Sequence, residues 1–248
     1  MDIQRHFENS DALCEYVKTL SPTVVLSFSR GKDSIAAWLQ LKAHGFKVIP
    51  VHMHSVPGIS FVDESLRYYE DVFQTKIYNM PHPSFYRWLA YLIFQSPDHW
   101  PAIVERDLPD YNLDDLFNIV KASRGYPLST FTAVGVTQFD SLTRRASISR
   151  FGPLNPNRRQ FFPIYDWNKP RIVREIRLAN IKLPKEYRIF GRSWDGIDFR
   201  FIEPIKRHYP DDYARILEWF PVLEIEIKRY QWRKEHLDAQ AAISKAAE

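Results

Sequence analysis

A chain of 248 residues, 45% of them hydrophobic, is long enough for one sizeable domain, or for one domain with a helical annex. Its net charge of +4 suits an anionic partner such as a nucleotide or a nucleic acid without specifying one. The single cysteine, Cys14, excludes an intrachain disulfide and any zinc or iron–sulfur site built on cysteines. No apolar run approaches a membrane span and residues 1–6 open polar, so a cytoplasmic protein with no membrane partner is expected.

Residues 9–20 have the apolar spacing of an amphipathic helix, with Ser10 or Asp11 as its N-cap and Cys14 as a small packing residue. Ser21-Pro22 breaks it, and Val24-Val25-Leu26 reads as a buried strand. A polar turn containing Gly31 follows, and residues 35–41 continue as a helix. A strand that turns sharply into a helix presents the first free N–H groups and the positive helix end to an anion, usually phosphate. Ser27, Ser29 and Ser34 add hydroxyls, Gly31 allows close backbone approach, and Lys32 adds positive charge. Residues 46–53 form a second strand, which completes a right-handed parallel βαβ unit. A helix over 61–73 and a strand over 76–80 come next. In such a sheet the ligand crevice lies beyond the carboxyl ends of the strands, near His54 and Ser55. His54 is therefore either an adenine contact or a solvated loop residue.

Residues 81–128 interrupt this alternation with six prolines and many aromatics, and are expected to be a helical insertion covering the site. Aromatics at helical spacing are core or, alternatively, stacking platforms for bases. A β-branched strand returns at 131–136, followed by a segment carrying Arg144 and Arg145. Those arginines either reach a polyphosphate or line a solvated helix face. Arg158 and Arg159 form a local positive pair that could hold a second anionic group. The helix at 169–178 is expected to be packed by Trp167 and capped by Asp166. The end of the chain reads as helical and charged, with a fraying Ala/Lys/Glu tail.

The octet Ser27-Phe28-Ser29-Arg30-Gly31-Lys32-Asp33-Ser34 lacks the glycine spacing of a Walker A loop. It resembles the PP-loop of the ATP pyrophosphatase superfamily, in the S-F-S-G-G-K-D-S form typical of phosphoadenosine phosphosulfate reductases. Seven of the eight positions match, with Arg30 replacing a glycine. Its guanidinium either adds to the phosphate site or points to solvent. Gly135, Ser141 and Arg144 resemble the family's strand-ending glycine and (E/Q)-S-x-x-R segment, with Asp140 in the first place. Pro163-Ile164-Tyr165-Asp166-Trp167 resembles its P-I-x-D-W segment.

The resemblance implies an α/β, adenine nucleotide alpha hydrolase-like (Rossmann-like) parallel sheet flanked by helices over residues 1–200, with a helical extension over 201–248. It implies ATP or a related adenine nucleotide, cradled by Ser27, Phe28, Ser29, Arg30, Gly31 and Ser34. His54, Gly135, Ser141, Arg145 and Arg158 would complete the nucleotide site, and Lys32, Asp33 and Arg144 would be catalytic, with Asp33 binding Mg²⁺. Where reductases carry a cysteine-bearing tail, this chain has Arg192-Ser193-Trp194, so the thiolate attack of a reductase has no nucleophile. The implied activity is cleavage of ATP between its α and β phosphates, with adenylylation of a nucleic-acid or protein acceptor, or sulfur transfer from a donor protein. A nucleotide-binding or regulatory module without turnover, and a reductase using a thiol in trans, remain the alternatives.

Overall fold

In the computed structural model, which describes residues 6–246, the apolar run at 24–26 lies at the centre of a six-stranded sheet. The strand β1 (Thr23–Ser27) pairs in parallel with β2 (Lys47–His54) on one side and β4 (Phe131–Val134) on the other. Beyond β2 lies β3 (Tyr78–Pro81), and beyond β4 lies β6 (Gln160–Phe161), both also parallel. The antiparallel edge strand β5 (Leu154–Asn155) completes the order β3-β2-β1-β4-β6-β5. The class is α/β and Rossmann-like, as the βαβ reading implies. The order reverses at β1, where β2 leads one way and β4 the other, and that places a crevice above the carboxyl end of β1.

Twelve α-helices accompany the sheet among the described residues. They are α1 (Ser10–Leu20), α2 (Lys32–Ala43), α3 (Ser60–Phe73), α4 (Pro83–Ala90), α5 (Trp100–Glu105), α6 (Leu113–Ser123), α7 (Leu142–Phe151), α8 (Lys169–Leu178), α9 (Tyr187–Phe190), α10 (Phe199–His208), α11 (Pro210–Trp219) and α12 (Glu224–Ala246). Alternate residues of a strand face opposite ways, so β1 serves two cores. Val24 and Leu26 join the larger one with residues of α1, α2, α3 and α8. Val25, Ile49 and Val51 meet Leu116, Phe117 and Val120 of α6 on the other face.

Several local expectations are corrected. The N-cap of α1 is Asn9, whose extended backbone lets Oδ1 accept the Ala12 N–H at 2.9 Å. Ser10 and Asp11 instead make tertiary bonds, Ser10 Oγ accepting from Trp167 Nε1 and Asp11 from Gln40 Nε2. Asn168, not Asp166, caps α8, while Asp166 accepts the Ser10 N–H. Trp167 is buried, as expected.

The 81–128 insertion does not cover the crevice. Its helix α6 packs on the far sheet face, and of the whole segment only His82 reaches the cavity above β1. Phe85 and Leu89 are core, whereas Tyr91 and Trp100 stay exposed.

Phe201, Ile202 and Ile205 of α10 and Ile216 of α11 join the same large core as the sheet. Residues 1–5 and the last two residues of the Ala/Lys/Glu tail lie outside the described residues. Among the described residues no helix is long and apolar enough to cross a membrane.

Candidate functional site

The loop between β1 and α2 forms the floor of a cavity of about 700 Å³ at the carboxyl edge of the sheet. The N-cap Gly31 gives α2 no side-chain cap, and of the first-turn N–H groups at that floor the one of Lys32, the first residue, meets the Tyr187 hydroxyl. Ser34 Oγ donates to Gly31 O at 2.9 Å and lies 3.3 Å from Ser29 Oγ, which also accepts the Gly31 N–H. Asp33 is bound through both carboxylate oxygens by Lys32 Nζ, at 2.6 and 2.7 Å. Ser29, Gly31, Lys32 and Asp33 line the cavity. Ser27, Phe28 and Ser34 do not. Phe28 is fully buried, edge-on to Tyr69 and Phe73, and its N–H donates to Val51 O.

Arg30 corrects the sequence reading on both counts, since its guanidinium meets neither the cavity nor solvent. The residue has φ 63°, a left-handed conformation that costs a non-glycine residue about 1 kcal/mol. Its side chain is fully buried, with Nη1 donating to Glu186 Oε1 at 2.5 Å and to Ser65 Oγ at 2.9 Å. The arginine thereby ties the loop to α3 and to the residue preceding α9. Only its backbone remains part of the loop between β1 and α2.

Gly135 and Arg144 enter the cavity from the β4 side. A Cβ on Gly135 would sit 2.6 Å from Asp33 O and 2.9 Å from Ser34 N, so this glycine permits the end of β4 to abut the start of α2. Ser141 is the N-cap of α7, accepting the Arg144 N–H at 3.2 Å, and is not in the cavity wall. Asp140 accepts from Arg144 Nη1 at 2.6 Å and orients that guanidinium. Arg145 turns away and stacks over Phe139.

On the β2 side, His52, Met53 and Ser55 line the cavity, while His54 does not. His54 Nδ1 lies 3.0 Å from Asn79 Oδ1, with its ring against Phe85. His52 Nδ1–H donates to Phe28 O at 3.0 Å, and burial, with the nearby Arg30 charge, holds its pKa well below the usual histidine value. His82 Nδ1 accepts the Ser84 N–H, and burial lowers its pKa too.

The roof is the segment 183–196, which the sequence reading noted only for its missing cysteine. Tyr187 Oη accepts the Lys32 N–H at 3.0 Å, and Ser193 Oγ and Tyr187 Oη both lie 3.2 Å from where a Gly31 Cβ would be. Arg192, paired with Asp195, and the buried Trp194 complete the wall with Lys169. The signal that could have found these residues was positional, since they stand where the resembled family keeps its reactive tail. In all, the cavity carries the cations Lys32, Arg144, Lys169 and Arg192 against the carboxylates Asp33 and Asp195, an excess of positive charge.

Arg158 is a correction of place. It precedes β6, which runs parallel to β4 and β1, so it lies at the amino edge of the sheet, across from the loop. There it forms a two-pronged pair with Asp114 at 2.8 and 2.9 Å. Cys14 is fully buried in α1, and burial pushes its thiol up to about 12.

No family model matches the chain, and no curated protein matches it in sequence. Among solved structures, NH3-dependent NAD synthetase from Campylobacter jejuni, in complex with the nitrate ion, is similar over 91% of this chain and 94% of its own. The identity is 16% and the TM-score 0.39, and at that level no activity follows for this chain.

Proposed function

We propose that the chain binds ATP or a related adenine nucleotide with its phosphates on the 27–34 loop, and cleaves it between the α and β phosphates. The supporting observation is convergence. Ser29, Gly31, Lys32 and Asp33 share one cavity with Gly135 and Arg144, so two motif patches remote in sequence meet at the switch point of the sheet. An acceptor nucleophile attacks the α-phosphorus, the bond to the α,β-bridging oxygen breaks, and pyrophosphate leaves with the electron pair. The reaction demands charge neutralisation at the departing pyrophosphate more than proton transfer. The N-terminus of α2, Lys32 and Arg144, which share that cavity, would provide it.

Among the described residues no cluster of three or more His, Cys, Asp or Glu forms a protein-built metal site. Magnesium needs only one or two carboxylates beside phosphate oxygens, and Asp33 fits that role once Lys32 moves from its carboxylate to phosphate. Bound there, the ion would supply charge neutralisation. The acceptor is a nucleic acid or a protein, and sulfur transfer would draw on a separate donor protein. The buried Cys14 is unsuited to sulfonate reduction, so a reductase would require its thiol from a partner.

A second reading, a nucleotide-binding module without turnover, is favoured by one observation: the Lys32–Asp33 pair and the Tyr187 hydroxyl occupy groups that catalysis would use. Pyrophosphate release from ATP and Mg²⁺, with and without nucleic acid, separates the two. Release by the native chain that falls at least 100-fold in Asp33→Ala supports the enzyme. ATP binding with no release under any of these conditions supports the module instead.

A further inference from the structure

A second cavity, of about 230 Å³, lies at the amino edge of the sheet between α6 and the turn that leads into β6. Its charged lining is Asp114, Lys121, Arg158 and Arg159. The Asp114 carboxylate is taken by Arg158 through two hydrogen bonds, which neutralises that pair and fixes the guanidinium. Arg159 has no carboxylate partner among the described residues and leans over the Phe131 ring. Its backbone is left-handed, at φ 47°, and its carbonyl accepts the Thr132 N–H at 2.7 Å, so the turn is pinned to β4.

Lys121 is the decisive residue. It is 3% exposed, lines the cavity, and its ammonium has no hydrogen bond or ion pair among the described residues. Desolvation there weighs against its positive charge, which an anion in the cavity would favour. A helix C-terminus such as that of α6 attracts a lysine, but to the surface, where its ammonium stays hydrated. Neither the fold nor the nucleotide cavity uses this charge.

We propose that this cavity is a second binding site, specific for a tetrahedral dianion of phosphate type, held by Lys121 and Arg159 and oriented by the Asp114-braced Arg158. Two unneutralised cations match a charge of two on the ligand, and the volume suits one phosphoryl group. A cation would be repelled, and a single carboxylate would leave one charge uncompensated. The dianion is either free phosphate or the terminal phosphoryl group of a larger molecule. The site lies across the sheet from the 27–34 loop and does not depend on the activity proposed there.

The test is calorimetric titration of the full-length chain with inorganic phosphate, and separately with ribose 5-phosphate as a phosphate monoester. It compares the native chain, Lys121→Met, Arg159→Gln and Lys32→Met, the last to remove phosphate binding at the loop. The expected result is one phosphate site that persists in Lys32→Met and weakens at least tenfold in both Lys121→Met and Arg159→Gln, with ATP binding unchanged in those two. Tighter binding of the sugar phosphate through Lys121 assigns the phosphoryl group of a larger molecule, and binding of inorganic phosphate alone assigns the free ion. Arg159→Gln changes an exposed residue and carries the test if Lys121→Met does not fold. Equal phosphate affinity in the native chain and the folded variants, or no site remaining in Lys32→Met, would overturn the proposal.

Discussion

Arg30 shows how a substitution at one residue recruits partners far along the chain. Its pair with Glu186 is fully buried, and Arg30 Nε, Arg30 Nη2 and Glu186 Oε2 have no hydrogen-bond partner among the described residues. A buried pair of this kind is costly to break from one side. Arg30→Met leaves a buried carboxylate alone and is expected to lower stability by about 3–5 kcal/mol, and Arg30→Met with Glu186→Gln to recover most of that loss. Urea unfolding of both variants checks it, and equal losses in the two would contradict the coupling. His52 makes a second prediction at this scale. Its folded pKa is depressed, so the unfolded chain binds a proton that the folded chain refuses once the pH falls below the ordinary value of 6.5. Stability from this group is present above that pH and declines below it, by up to about 1.4 kcal/mol per pH unit. His54 and His82 shift the same way. Urea midpoints between pH 7.5 and 5.5 should fall faster for the native chain than for His52→Gln, so that the gap between them narrows on acidification.

At the scale of elements, the short helix α9 acts as the clasp of the loop between β1 and α2. Glu186 anchors it through Arg30 from below, and Tyr187 touches the first N–H of α2 from above. That N–H is one a phosphate would use, so the tyrosine hydroxyl and the ligand compete for it. Tyr187→Phe is expected to tighten ATP binding about 3–10-fold, the worth of one net hydrogen bond no longer broken on binding. Calorimetric titration with ATP reads the change directly, and weaker binding would show that the hydroxyl serves the ligand. Gly135 plays the complementary part. Its missing side chain lets the chain just past β4 lie against the backbone of Asp33 and Ser34.

At the scale of the whole molecule, the C-terminal helices are joined to α3 by a polar bond as well as by the core they share with the sheet. The residue before α3, Ile59, offers no side-chain cap. Asp212 of α11 takes that place, accepting the Ser60 N–H and Ser60 Oγ–H at 2.7 Å each, while only 3% exposed. Asp212→Ala removes the cap of one helix and the latch of another, and is expected to cost about 2 kcal/mol. Thermal unfolding should register it as a single cooperative transition at lower temperature. Two separate transitions would show that α10–α12 form an independent unit.

The local chemistry was legible in the order of residues. The apolar run at 24–26, the turn at Gly31 and the spacing of Gly135 and Arg144 are short-range patterns, and each carries its own geometry wherever it occurs. They determined the parallel βαβ core and the sharp turn that Gly135 and Arg144 meet in one cavity. The partners of charged side chains were not legible, because burial and pairing depend on what the fold brings from elsewhere. Arg30 found Glu186 rather than phosphate or water, Arg158 was carried to the far edge by the direction of β6, and Lys121 acquired a cavity that no neighbour in sequence announced. Sequence alone set which groups could bind anions. Tertiary structure decided which of them face one another, since electrostatic energy depends on distance and on excluded water, and neither is written along the chain.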